Sequence, residues 1–281
     1  MFLMKLLGSE QLQIRGIKKN KMILQDIIEE LCRVAPEEYA QDWDNCGLLA
    51  GDRAQDITKI YIALDADDEA IEQAKNVGAQ LLLTHHPLIF SPLKKVNKDY
   101  FISARIVELL HAHMNLYAMH TNFDAAVMGT LAASYIDLPV EGVLADAFVA
   151  DEKEYGIGVV GNYASPQTLE EICRRVKEAF GLQAVKLFGD AQTAVSRIAI
   201  CPGSGKSTIS DALRAGAQVL LTGDIDHHSG IDALAQGLTI IDAGHYGIEH
   251  IFIRYMESYL KTHLQGVEIY AKERQEPFIF L

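Results

Sequence analysis

The chain has 281 residues, 49% of them apolar, with a mean hydropathy of +0.07 and a formal charge of −13. No apolar run approaches the roughly 18 residues that a helical membrane span requires, and so acidic a surface disfavours nucleic-acid backbones. An anionic small molecule stays compatible, because bound cations reverse the local field. The cysteines Cys32, Cys46, Cys173 and Cys201 are scattered with no C-x-x-C, which points to a reducing cytoplasmic setting and not to a disulfide scaffold.

Residues 1–21, with Arg15, Lys18, Lys19 and Lys21, read as an N-terminal extension without the cleavage site of a secretory signal. Met22 is a second candidate start and opens an amphipathic helix, MILQDIIEELCRVAP. After the loop QDWDNCGLLAGD the pattern predicts a strand over 59–65, a helix over 67–77 and a strand over 78–84. A helix over 99–115 and the strand LYAMHT follow. Farther on, a strand is expected over 156–163. Ser165 and Pro166 then read as the cap and first turn of a helix ending near Gly181. AVKLFG and TAVSRIAI read as strands. Strands alternating with helices predict an α/β fold with a largely parallel sheet.

An internal repeat refines this. Shifted by 138 positions, residues 59–84 lie over 197–222 without gaps, with 10 of 26 positions identical and GAQ-x-LLT in the same phase. The repeat implies a duplicated βαβ unit and hence two related lobes, 22–140 and 141–281. Each would be a largely parallel or mixed sheet with flanking helices, and the C-terminal helix would contribute to a site in the cleft between them. The match continues loosely, with LYAM (116–119) resembling LTII (238–241).

The polar residues gather where these strands end. His85 and His86 follow the strand over 78–84, and Asp124 follows LYAM. Asp224, Asp226, His227 and His228 follow the equivalent strand of the second unit, and Asp242 and His245 follow LTII. Ligands of open α/β sheets collect outside the carboxyl ends of strands. Histidine with Asp and Glu, and no Cys, suits divalent metal. His245 and Glu249 stand four apart at the start of a helix and share a face. Neighbouring side chains of an extended chain point to opposite sides, and Pro87 keeps His86 extended. The two imidazoles would then each hold one of two ions, bridged by Glu249 or Asp124.

The motifs WDNCGL, THHP, HTNFDAA, the glycine-rich loop before GAQVLLTGD, and AGHYGIE together resemble the GTP cyclohydrolase 1 type 2 homologue family, also called Nif-three-like, over about residues 22–281. The resemblance implies two α/β lobes around a dinuclear divalent-metal site, in a toroidal homohexamer. It implies His85, His86, Asp124, His245 and Glu249 as ligands, with Glu249 bridging. It also implies GTP as substrate, with opening of the imidazole ring and release of formate. The chain departs in its first 21 residues, in Lys206 within GSGKS, and in lacking the mid-chain domain of longer relatives.

Other signals are weaker. CPGSGKST lacks the first glycine of a nucleotide P-loop, which is Ile200 here, and reads best as a tight turn. His111, His113, His250 and His263 read as surface or structural residues. His120 is read either as orienting a ligand or moving a proton, or as a core residue. Asp44 and Asp65 are candidates for orienting ligands. Asp226, His227 and His228 are expected to line the cleft without binding metal directly, and Trp43 to be a packing residue. Two functions follow. One is a metal-dependent hydrolase with Glu249 and His120 in its chemistry and two ions of zinc, manganese, iron, cobalt or nickel. The other is a non-enzymatic metal-binding or regulatory protein acting through a ring-shaped homo-oligomer.

Overall fold

The computed structural model describes residues 22–279, so the expected extension and the alternative start at Met22 turn on residues outside those described. The chain begins with β1 (Met22–Ile23), α1 (Leu24–Val34), β2 (Gly47–Ala50), β3 (Asp56–Ile57), β4 (Lys59–Ala63), α2 (Asp68–Val77), β5 (Leu81–Thr84), α3 (Phe101–His111) and β6 (Asn115–Ala118). A helical stretch follows: α4 (Thr121–Phe123), a π-helical turn over Asp124–Met128 and α5 (Gly129–Tyr135). Next come β7 (Val140–Ala150), β8 (Lys153–Thr168), α6 (Leu169–Phe180), β9 (Lys186–Phe188), β10 (Ala194–Ser204), α7 (Ile209–Arg214), β11 (Val219–Gly223), α8 (His227–Ala235) and β12 (Thr239–Asp242). The chain closes with α9 (His245–Glu249), α10 (Ile251–His263) and β13 (Glu268–Ala271). Among the described residues no helix is long and apolar enough to cross a membrane.

Two mixed sheets result. One has the order β13-β4-β5-β6-β2, parallel except for β2; the other has the order β7-β8-β10-β11-β12-β9, with β10, β11 and β12 parallel. Alternation along the central strands divides the apolar side chains. Ile60, Ile62, Leu81 and Leu83 of one sheet share a core with Ile198, Ile200, Val219 and Leu221 of the other. Tyr61, Ala63 and Leu82 turn outward against α2 and α3, while Ala199, Cys201 and Leu220 turn outward against α7 and α8. Strands buried on both faces read as continuous apolar runs, which is why IYIA and LLLT lack a polar alternation.

The repeat is a structural duplication with the same register. Ile60 pairs with Leu81 in the first unit and Ile198 with Val219 in the second, which are equivalent positions. The shared glycine and glutamine each have a task. Gly78 (φ 72°) and Gly216 (φ 69°) turn the chain through the left-handed region before the second strand. The Gln80 side-chain oxygen accepts from the N–H groups of Thr58 and Lys59, and that of Gln218 from Ser196 and Arg197. Gln80 thereby closes the start of β4, and Gln218 serves the equivalent backbone of β10 at its register shift between Val195 and Arg197. Gln80→Leu leaves two partly buried backbone donors unsatisfied and should cost about 1–3 kcal/mol in urea unfolding. Gln218 is exposed, so in Gln218→Leu water takes the acceptor's place and the cost should be about 0.5–1.5 kcal/mol. The third strands correspond as Asn115–Ala118 with Thr239–Asp242, because Leu81 pairs with Asn115 and Val219 with Thr239. The loose match of LYAM with LTII was two residues out of step.

Two expectations need correction. Pro166 does not open a helix: β8 continues through it, pairing Gln167 with Val195 and Thr168 with Ala194. Lacking an N–H, Pro166 sits beside the register shift between Val195 and Arg197, where the ladder is already interrupted. The helix starts at Leu169 instead, capped by Thr168, whose hydroxyl accepts from Glu171 N while the Glu171 carboxylate accepts from Thr168 N. The division at residues 140 and 141 also fails at its far end. β13 pairs in parallel with β4, Glu268 beside Lys59 and Ala271 beside Ile62, so the last strand completes the first lobe's sheet. An open edge on β4 would leave a row of unpaired backbone groups, and β13 covers it.

Candidate metal centre

The strand ends meet in one place. Beyond β5 the backbone N–H groups of His85 and His86 both donate to the Leu64 carbonyl, at 3.2 and 2.9 Å, which fixes the turn. The His85 ring is fully buried, and its Nδ1 donates to the Met119 carbonyl at 2.7 Å. His86 Nδ1 lies 2.8 Å from Asp65 Oδ1. Beyond β12, Gly244 (φ 74°) starts α9; His245 Nδ1 lies 3.1 Å from Asp224 Oδ2 and Glu249 follows one turn later. His120 Nδ1 lies 2.9 Å from Asp44 Oδ1. Each of these four imidazoles is thus tied at Nδ1 to an oxygen, which leaves Nε2 as the atom offered to the centre. That is the way proteins orient metal-binding histidines.

Glu249 stands between them with its two oxygens facing different partners. Its Oε2 is 2.9 Å from His86 Nε2 and 2.9 Å from His245 Nε2; its Oε1 is 3.7 Å from His85 Nε2. His85 Nε2 is 3.5 Å from Asp124 Oδ1, and both atoms are buried without a hydrogen-bond partner. Two such orphans facing each other fit a shared cation, since buried polar atoms are otherwise paired. Groups of donor atoms that can hold a metal ion are His86, His245 and Glu249; His85, Asp124 and Glu249; and His85, His86 and His120. The first two share Glu249. The third brings His85 and His86 within reach of one another, where the extended-chain argument sets them on separate ions.

The acidic and basic groups of the cluster shift one another's titration. Burial disfavours a charge on His86, but hydrogen bonds to Asp65 and Glu249 outweigh it and push its pKa up to about 10. Burial also opposes ionisation of Glu249, yet the surrounding histidines hold it well below the usual carboxylate range. Asp124 is raised, first by burial and then by the charge of Glu249, with His85 pulling the other way. A metal must therefore displace protons from His86 and His245, both of which sit above the ordinary histidine value. Metal affinity should rise with pH through the neutral range, by up to about tenfold per unit for each proton released. Calorimetric titration with Mn²⁺ or Zn²⁺ at pH 6.5 and 7.5, in buffers of different ionisation enthalpy, measures both the slope and the protons.

One contributor escaped the sequence reading. Gly203, in the loop taken as a plain turn, has φ 76°, and a Cβ on it would lie 2.1 Å from Glu249 Oε1 and 3.6 Å from His245 Nε2. The loop is held there by Thr222, whose hydroxyl donates to the Gly203 carbonyl. Gly203 opens GSGKS, three residues before Lys206, and nothing in that motif signals its partner on another element. Lys206 itself pairs with Asp226 at 2.8 Å, and Asp226 caps α8 by accepting from Ser229 N. Asp226 is thereby committed to a helix end, and exposed His227 and His228 join none of the metal-capable groups. Trp43 was expected to pack, but it is 59% exposed and lies edge-on to His120 with ring centres 6.2 Å apart. His250 is buried, bonded to the Gly247 carbonyl and lowered to about 4 chiefly by burial, in keeping with a structural role. A cavity of about 710 Å³, lined in part by Lys186, Asp224, Asp242, Gly244 and Arg274, opens beside His245.

Comparison with known proteins places this geometry in context. Residues 22–277 match the Duf34/NIF3 family, described as NGG1p interacting factor 3. A protein of Clostridium perfringens named GTP cyclohydrolase 1 type 2 homolog is 36% identical over 264 residues, spanning 92% of this chain and 100% of the relative. A protein of the same name from Lactococcus lactis is 35% identical, spanning 92% of this chain and 99% of its own length. The crystal structure of a Bacillus cereus protein related to NIF3 superposes with a TM-score of 0.83 at 22% identity, covering 93% of this chain and 99% of that one, and so shares the fold.

Proposed function

The chain belongs to the Duf34/NIF3 family, and from that membership we propose that it is a dinuclear divalent-metal-dependent hydrolase acting on GTP or another nucleotide-like or cyclic amide substrate. The observation that carries this reading is the pair of donor groups sharing Glu249, with His85 Nε2 and Asp124 Oδ1 buried and unsatisfied between them. Glu249 would bridge, with His86 and His245 on one side and His85 and Asp124 on the other. Nitrogen and oxygen donors admit zinc, manganese, iron, cobalt or nickel. When bound, such a pair supplies Lewis-acid activation of a water and of a substrate oxygen.

The protein's own groups do the rest. Asp65 and Asp224 hold His86 and His245 in position through their Nδ1 atoms. Asp44 accepts from Thr121 N and Oγ1 as well as facing His120, so the His120 ring is fixed with Nε2 toward the centre. His120 Nε2 is the group we assign to move the proton between water and leaving group. GTP comes from the name its relatives carry.

Metal analysis of protein purified without chelator or histidine tag should return two ions per chain, and formate should appear when that protein is given GTP. One ion or none per chain would end the dinuclear reading. Metal without formate release from GTP, and without turnover of a phosphoester and cyclic amide panel, would favour the binding role. That second reading has an observation of its own: Val96, Tyr100 and Phe101 are 55%, 49% and 58% exposed along one segment, a surface suited to contact between copies. Under either reading we propose a homo-oligomer of toroidal form, which light scattering of the eluted protein would show as about six chains.

A further inference from the structure

Trp43 is the chain's single tryptophan, and more than half of it is exposed. Its backbone is not slack. The side chain of the next residue, Asp44, is fully buried and accepts from Asn45 N, Thr121 N and Thr121 Oγ1 while facing His120. On the near side, Gln41 N donates to Thr121 Oγ1 and Asp44 N to the Gln41 carbonyl. Asn45 Nδ2 donates to the Ile89 carbonyl, which fixes the loop carrying Phe90. Phe90 is 55% exposed, and its ring centre is 5.9 Å from that of Trp43 at an interplanar angle of 51°. A pinned loop therefore holds two large apolar rings open to water as a wedge. The wedge ends at His120, whose ring lies 5.4 Å from His85 and 5.6 Å from His86. Unpaired aromatic faces held rigidly beside a cluster of polar donors are the arrangement that binds a flat ring and presents its substituents to the donors.

We propose that Trp43, flanked by Phe90, is the stacking platform for a planar heteroaromatic ring of the substrate, which sets that ring against the metal-capable histidines. This rests on the hydrolase reading only for the word substrate; the platform itself requires a ligand with an aromatic face. Trp43 is then a specificity residue for ring-bearing molecules and neutral toward inorganic phosphates.

Because Trp43 is the only indole, its fluorescence reports on the platform alone. Metal-loaded protein is titrated with GTP, UTP, riboflavin 5′-phosphate and tripolyphosphate. The expected result is saturable quenching by at least one of the three ring-bearing ligands and none by tripolyphosphate. By equilibrium dialysis, Trp43→Leu should weaken that ligand at least about tenfold, as loss of one stacked base does. Trp43→Phe should stay within about threefold of the parent, with metal content and molecular mass unchanged in both variants. The proposal is overturned if no ring-bearing ligand quenches, if Trp43→Leu binds like the parent, or if Trp43→Leu changes the assembled mass, which would make the wedge a contact between copies. Quenching by GTP without turnover of GTP or of the phosphoester and cyclic amide panel would remove the hydrolase and leave the platform. Turnover of GTP unchanged in Trp43→Leu would do the reverse.

Discussion

Glu249→Gln should empty the centre while leaving the fold in place. The amide keeps the shape of the buried carboxylate but removes the charge that both donor groups share, so metal content should fall to near zero. Changes to residues that merely orient a ligand cost about 10–100-fold in affinity or activity, so loss of a shared ligand should reduce turnover by more than about a hundredfold. Asp124→Asn is the informative companion. Asp124 faces His85, whereas Glu249 also reaches His86 and His245. Its replacement should therefore release one ion and spare the other. Equal stoichiometry in the two variants would show that Glu249 is not shared.

Gly203→Ala should be the most damaging small substitution. Gly78 and Gly203 share a left-handed φ, 72° and 76°, but a Cβ on Gly78 meets nothing within 4 Å whereas one on Gly203 collides with Glu249 Oε1. Gly78→Ala should therefore cost only left-handed strain, about 1–2 kcal/mol. Gly203→Ala adds displacement of the buried Glu249 carboxylate, for a total of roughly 2–4 kcal/mol. A shift of about 1 Å at such a group lowers activity on the order of a hundredfold. Thermal unfolding with and without added metal separates the two costs: the gap between the variants should widen when metal is present, and a constant gap would mean that Gly203 is only a turn.

These two residues mark the limit of what was legible in the sequence. His85, His86, His245 and Glu249 could be found because strand ends and a four-residue helical step are local patterns, and the GAQ repeat told which strands were equivalent. Gly203 could not, since its requirement comes from a carboxylate on another element. Trp43 was misread for a related reason. A tryptophan is usually buried, and only the inward commitment of neighbouring Asp44 turns it outward. The Ser165-Pro166 signal competes with the capping box Thr168–Glu171, which starts the helix, and Pro166 is tolerated where the strand ladder is interrupted. The placement of Glu268–Ala271 was invisible because its partner, β4, lies near the other end of the chain and no periodicity records such a pairing.

That last strand has a consequence for how the protein is made. The first lobe leaves the ribosome early, yet one border of its sheet stays open until residues 268–271 emerge, and α9, which carries His245 and Glu249, also arrives late. Vectorial synthesis therefore yields an unfinished half with a sticky edge, and the half becomes complete only after the whole second sheet has been made.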